Sequence, residues 1–351
     1  MIDQLRGLLR RNRWWITRTL ALPVHVLAFA AAAFFLVRLV PGDPVLARID
    51  TSGGFSQQEY DRMAEAMGLS GSIWSQFVTF MGALLRFDLG NSAVTGRAVW
   101  TELMTRLPGT LELIVLGLLA SLLATLLLGM IAMTSTSDRV HGAMRFYAKT
   151  TGALPDFAVA IVGLVLFYVA LRIVPAPVGR VPPGTQQPLV LGFPLVDAVL
   201  TGRWDVFAAI AARYVLPLAV IVVVHTSGLW RQLSLGIEEQ RADPATLFKV
   251  ASGATRWSIY RSVLRRACAS SIVMLGAKFG ALLGGVIVLE QLFGFGGVGQ
   301  FALDSVDTLD FLGLQGFLVV IAALSLVTFL VVDIVNMLLD PRRRPGVRME
   351  Q

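Results

Sequence analysis

Residues 108–134 read PGTLELIVLGLLASLLATLLLGMIAMT, with Glu112 as the only charge. An apolar run longer than about 18 residues is long enough to cross a bilayer as a helix. Lipid offers no hydrogen-bond partner to an open backbone, so such a run has to be helical or part of a closed barrel. Five further stretches read the same way, roughly 17–40, 150–174, 208–230, 270–293 and 316–339. The first is longer than the apolar core of a signal peptide and no cleavage site follows it, so it is read as retained. The expectation is an all-α membrane protein with six transmembrane helices.

The composition agrees. Of 351 residues, 55% are hydrophobic and 15% charged, against about 25% charged in a soluble domain. A disordered chain, a coiled coil and a disulfide scaffold are excluded, and Cys268 is the single cysteine. His25, His141 and His225 are far apart in sequence, without metal-ligand spacing. No G-x-x-x-x-G-K loop is present to bind ATP. No cofactor, metal or catalytic group is therefore expected in this chain. The net charge of +7 flanks the apolar spans instead of forming one stripe, which argues against nucleic acid.

The basic residues also give the orientation. Residues 294–315 contain no Lys or Arg, whereas seven lie between Arg231 and Arg266. Arg6, Arg10, Arg11, Arg13 and Arg18 precede the first span, and Arg342, Arg343, Arg344 and Arg348 follow the last. The positive-inside rule then puts both termini in the cytoplasm. The chain divides into a tail and first span (1–40), an outer loop region (41–107) and a core (108–351) that includes a cytoplasmic loop at 231–269. The outer region contains two helical segments, Gln58–Met67 and Ile73–Leu85. The Pro- and Gly-rich outer segment 174–207 is too broken for a long helix.

The cytoplasmic loop has a helix start at Asp243-Pro244, Asp as N-cap and Pro at the first helical position. A short apolar helix follows (Ala245, Leu247, Phe248, Val250, Ala251), stopped at Ser252-Gly253. Thr255 caps a second helix running to about Ala269. An apolar helix outside the hydrocarbon needs a cover: a partner, the chain's own helix ends, or lipid headgroups. In the fifth span, Gly276, Gly280 and Gly284 share one face, a spacing that lets helices approach closely. Lys278 is the only lysine inside a span, about seven residues or roughly 10 Å from its cytoplasmic end. A buried ammonium there faces protein or water. It either lines a translocation path, where it attracts a carboxylate, or snorkels or pairs with an acid such as Asp156.

Several phrases, in order, resemble the permeases of ATP-binding-cassette importers, in the dipeptide and oligopeptide branch. Pro41-Gly42-Asp43-Pro44 is similar to P-G-D-P. Gly68-Leu69 with Trp74 and Gln76 resembles G-L-x-x-x-x-W-x-Q. Asp88-Leu89-Gly90 with Ser92 matches D-L-G-x-S, and Thr110–Leu113 matches T-L-E-L. Glu290-x-x-Phe293 leads to Gly297-Val298-Gly299, with Gly296 where the family has Pro; Asp333 and Pro341-Arg342 close the pattern. The resemblance spans about residues 10–345. It implies the type I importer permease fold, a second permease subunit, two cytoplasmic ATPases, an external substrate-binding protein and a peptide cargo. The family's E-A-A-x-x-x-G coupling helix maps onto the short apolar helix. Gly253 at the Gly position puts Leu247-Phe248-Lys249 in place of E-A-A; ungapped, Ser252 takes the Gly place. Relatives of this kind also carry nickel chelates and glutathione-like compounds. A secondary transporter or channel is the competing class, but no clear internal repeat supports it.

Overall fold

The computed structural model describes residues 2–49 and 56–339, with side chains described for 19–49 and 56–334. The tail arginines from Arg342 onward and the Pro341-Arg342 phrase lie outside the described residues, as do the side chains of Arg6 to Arg18. The helices are α1 (Ile2–Val37), α2 (Gln57–Ala66), α3 (Ile73–Leu84), α4 (Val99–Thr134), α5 (Asp138–Thr150) and α6 (Asp156–Gly163). After them come α7 (Pro194–Leu200), α8 (Trp204–Ala242), α9 (Pro244–Ala251), α10 (Arg256–Phe293), α11 (Val298–Asp307) and α12 (Phe311–Leu339). Among the described residues the only strand-like pairing is an isolated bridge between Asn91 and Ala98.

Among the described residues, five helices contain stretches long and apolar enough to cross a membrane: α1, α4, α8, α10 and α12. The sixth span is broken. Instead of one helix over 150–174, α5 ends in a 3-10 turn and meets α6 at 105°. Pro155 explains the break. A residue preceding proline is driven out of the α region, and Leu154 is extended with ψ 131°. Past α6 the chain widens into a π turn over Leu164–Ala170 and stops at Arg172, whose φ is 56°.

The helices also overrun the expected spans. The cytoplasmic loop 231–269 is mostly helix: α8 continues to Ala242 and α10 starts at Arg256, leaving α9 and two short turns between them. Hydropathy marks only the part of a helix suited to hydrocarbon, while backbone hydrogen bonding continues to the next cap. For α10 that cap is Thr255, whose hydroxyl accepts from the Ser258 amide; the helix then runs unbroken to Gly294 at φ 64°.

The contacts group into two compact units. The first comprises residues 1–108 and 296–330, the second 109–295 and 331–351. In the first, Phe34 of α1, Phe80 of α3 and Val319 of α12 form a buried cluster, and α2 packs through Ala64 on Val45 and Ile49. The family-like phrases fasten this unit. Asp43 accepts from the amides of Val45 (2.8 Å) and Leu46 (3.2 Å) and from the Tyr60 hydroxyl (3.0 Å). Gln76 accepts from Arg38 (2.7 Å) and donates to the Leu69 carbonyl (2.7 Å). Ser92 donates to Asp310 at 2.5 Å.

In the second unit α8 packs along α10, and Met133, Met144, Trp230, Leu233, Ile237, Val263 and Ala267 form a core at one end. At the other end two buried glutamates organise the chain. Glu112 accepts from the amides of Leu195 (2.9 Å) and Val196 (3.2 Å) at the start of α7 and from the Tyr214 hydroxyl (3.1 Å). Glu290 is fully buried and pairs with Arg180 at 2.6 Å, while the Thr110 hydroxyl donates to the same oxygen. A buried charge is tolerated only when paired and hydrogen-bonded in this way.

Candidate functional site: the α8–α9–α10 turn and the cavity beside it

The turn is built from local chemistry. The Asp243 carboxylate accepts from the Ala245 amide at 2.8 Å, and Pro244 occupies the first helical position. Gly253, at φ 75°, takes the left-handed conformation that lets the Ala254 amide return to the Lys249 carbonyl at 3.1 Å. A side chain at position 253 is strained by that backbone. Ser252 is the C-cap, its hydroxyl donating to the Lys249 carbonyl at 3.1 Å.

One face of α9 is pinned to its neighbours. Thr246 is buried, donates to the Gln240 carbonyl of α8 at 2.6 Å, and receives a hydrogen bond from Arg266 of α10. Lys249 donates to the Ser262 hydroxyl of α10 at 2.8 Å, so its ammonium turns inward. The opposite face is bare: Leu247 is 56% exposed, Phe248 74% and Val250 55%. Among the described residues, the chain's own helix ends do not cover them. Two polar anchors on one side and three large apolar side chains on the other make a small knob in fixed orientation.

At the same end of α8 and α10, a cavity of about 620 Å³ opens between α5, α8 and α10. Lys278 lines it together with Gly228, Ser227 and Met274. A β-carbon at Gly228 would come 3.2 Å from the Lys278 Cε and Nζ, so the absent side chain makes room for the ammonium. Lys278 lies in the middle of α10, not seven residues from its start, because the helix begins at Arg256. Asp156 is paired with His225 instead, Nε2 to Oδ2 at 3.3 Å. That corrects the view of His225 as isolated, which spacing in sequence suggested. Among the described residues no ion pair involves Lys278.

The three glycines of α10 differ. A β-carbon at Gly276 would collide with both methyls of Val332 on α12, whereas one at Gly284 would meet open space. Gly280 is half-buried. Among the described residues no group of three or more His, Cys, Asp or Glu side chains could hold a metal.

Comparison with known proteins converges on one family. Residues 114–345 match the binding-protein-dependent transport system inner membrane component. The probable D,D-dipeptide transport system permease protein DdpB of Escherichia coli K12 is 32% identical, over 95% of this chain and 96% of its own. The di/tripeptide transport system permease protein DppB of Pseudomonas aeruginosa UCBPP-PA14 is 27% identical, over 89% of this chain and 92% of its own. The metal-staphylopine import system permease protein CntB of Staphylococcus aureus Mu50 is 24% identical, over 81% and 82%.

Proposed function

Because this chain belongs to the family of binding-protein-dependent transport system inner membrane components, we propose a specific division of labour for it. It is a multi-pass inner membrane protein and a permease subunit of an ABC importer. In our reading it forms half of the path, beside a second permease subunit. Two cytoplasmic ATPases drive the pair, and a substrate-binding protein delivers cargo from outside. The cargo is a peptide, supported by the names of DdpB and DppB. The chain itself does no covalent chemistry. Both termini and the α9 end of the second unit face the cytoplasm, in keeping with the basic residues at 231–266 and the lack of any at 294–315.

The observation that carries the coupling assignment is the bare apolar face of α9. Asp243, Ser252 and Gly253 fix the ends of the helix, Thr246 and Lys249 fix its rotation, and Leu247 and Phe248 project from it. Such a face suits a cleft on an ATPase. Closing of the ATPases on ATP then moves α9 with α8 and α10 as a lever, and the spans rock between outward- and inward-open forms. Phe248→Asp tests this, since an unpaired charge in an apolar joint costs on the order of several kcal/mol. ATP hydrolysis by the assembled complex should lose its stimulation by substrate while the membrane subunits still assemble. Unchanged stimulation would exclude Phe248 from the joint.

Lys278 is assigned to the path, where its ammonium attracts the carboxylate of the passing peptide. Its place on a cavity wall without an acidic partner supports this. A second cargo reading, an anionic metal chelate, is favoured by the match to CntB.

A further inference from the structure

The cavity beside Lys278 carries charge of nearly one sign. Arg145 and Lys149 reach it from α5, Arg231 and Arg241 from α8, and Lys278 from α10, against Glu238 as the one acid in its lining. Four positive charges therefore stand in excess. None of the five cations forms an ion pair or a side-chain hydrogen bond among the described residues, whereas nearby Lys249 and Arg266 are engaged by hydroxyls. The arrangement follows helix geometry: positions 145 and 149 share a face of α5, and 231, 238 and 241 share a face of α8. The volume lies within the range of small-molecule sites, about 300–1,000 Å³. Arg145, Lys149, Arg231 and Arg241 are exposed at the cavity and Lys278 is half-buried; clustered like charges raise the local concentration of counter-ions, an effect that salt weakens.

We propose that this cavity is an anion-selective section of the path, and that the peptides it favours carry a second carboxylate besides the C-terminal one. This rests on the assignment of Lys278 to the path. A peptide with one carboxylate answers one cation and leaves the others repelling each other. An acidic side chain answers a second, while Met144, Trp230 and Met274 offer apolar wall to the rest of the molecule.

The test places a reporter thiol in the cavity of the assembled importer: S234C, with A153C as a second position, each in a C268S background. Its rates with an anionic and a cationic methanethiosulfonate are measured and divided by the rates of free cysteine. The anionic reagent should be favoured by about tenfold, and the R145Q/R231Q/R241Q variant should lose the preference, as should high salt. Protection by the dipeptides Ala-Glu and Ala-Gln, which differ by one charge at nearly the same shape, is then compared. Ala-Glu should protect at about threefold lower concentration, and that advantage should vanish in the triple variant. No anionic preference at either reporter, or equal protection by the two dipeptides, overturns the charge selectivity and leaves the path assignment standing. No protection by either dipeptide overturns the path assignment itself, and the inference with it. Protection by anionic phospholipid in place of peptide also overturns the inference.

Discussion

Phe248 and Lys249 are adjacent in sequence and opposite in role. Exposure of 74% leaves Phe248 available to a partner, while the Lys249 ammonium is spent on Ser262. The sequence pattern identified the helix and its caps, because Asp243, Pro244, Gly253 and Thr255 act through bonds to residues a few positions away. It did not show which side faces outward, because Thr246 and Lys249 find their partners on other helices. Removing the cap with Asp243→Ala should cost about 1 kcal/mol of local stability. It should appear as faster hydrogen exchange at the Ala245 and Thr246 amides, with exchange in the middle of α10 unchanged. Lys278→Gln should lower transport while assembly and basal ATP hydrolysis hold. The loss should be larger for free-acid peptides than for C-terminally amidated ones; equal loss for both would remove the ammonium from the path. Pairing with Asp156, which together with snorkelling was the alternative open from sequence, is disfavoured by the His225 contact, an association between residues 69 apart that no local pattern could reveal.

At the scale of elements, apolar length found the spans, and one of them breaks at Pro155. Six runs were legible, yet their ends were not, since hydropathy is blind to the helical extensions of α8 and α10 into polar surroundings. The bend at Pro155 was not legible in the sequence, because Pro23 and Pro217 also lie inside apparent spans and their helices continue through them. The buried glutamates show the limit from the other side. Glu112 and Glu290 belong to the T-L-E-L and E-x-x-F phrases, but their partners, the start of α7 and Arg180, come from a segment whose prolines and glycines give no periodic signal. The glycine strip of α10 yields a split prediction. Gly276→Leu drives a side chain into Val332; overpacking costs about 1–3 kcal/mol or more, so the yield of folded chain should fall in detergent. Gly284→Leu enters open space, so the chain should fold normally. Loss of the second permease subunit from the purified complex would then mark the Gly284 end of the strip as an inter-subunit contact. Normal folding of Gly276→Leu would contradict the close approach of α10 and α12.

For the molecule as a whole, the chain is a multi-pass permease subunit of an ABC importer. The proposed control of the spans by α9 requires the energy of ATP bound by other subunits. The proposed orientation, taken from the charge bias, predicts that a cysteine at Leu247 reacts with a membrane-impermeant reagent only from the cytoplasmic side. The central claim is tested most directly by uptake of a radiolabelled dipeptide into vesicles containing the assembled complex and its binding protein, with the ATPases facing the bath. Uptake from the binding-protein side should require hydrolysable ATP and both ATPase subunits, and should stop with a non-hydrolysable analogue. Uptake driven by an ion gradient in vesicles holding the permease subunits alone would contradict it.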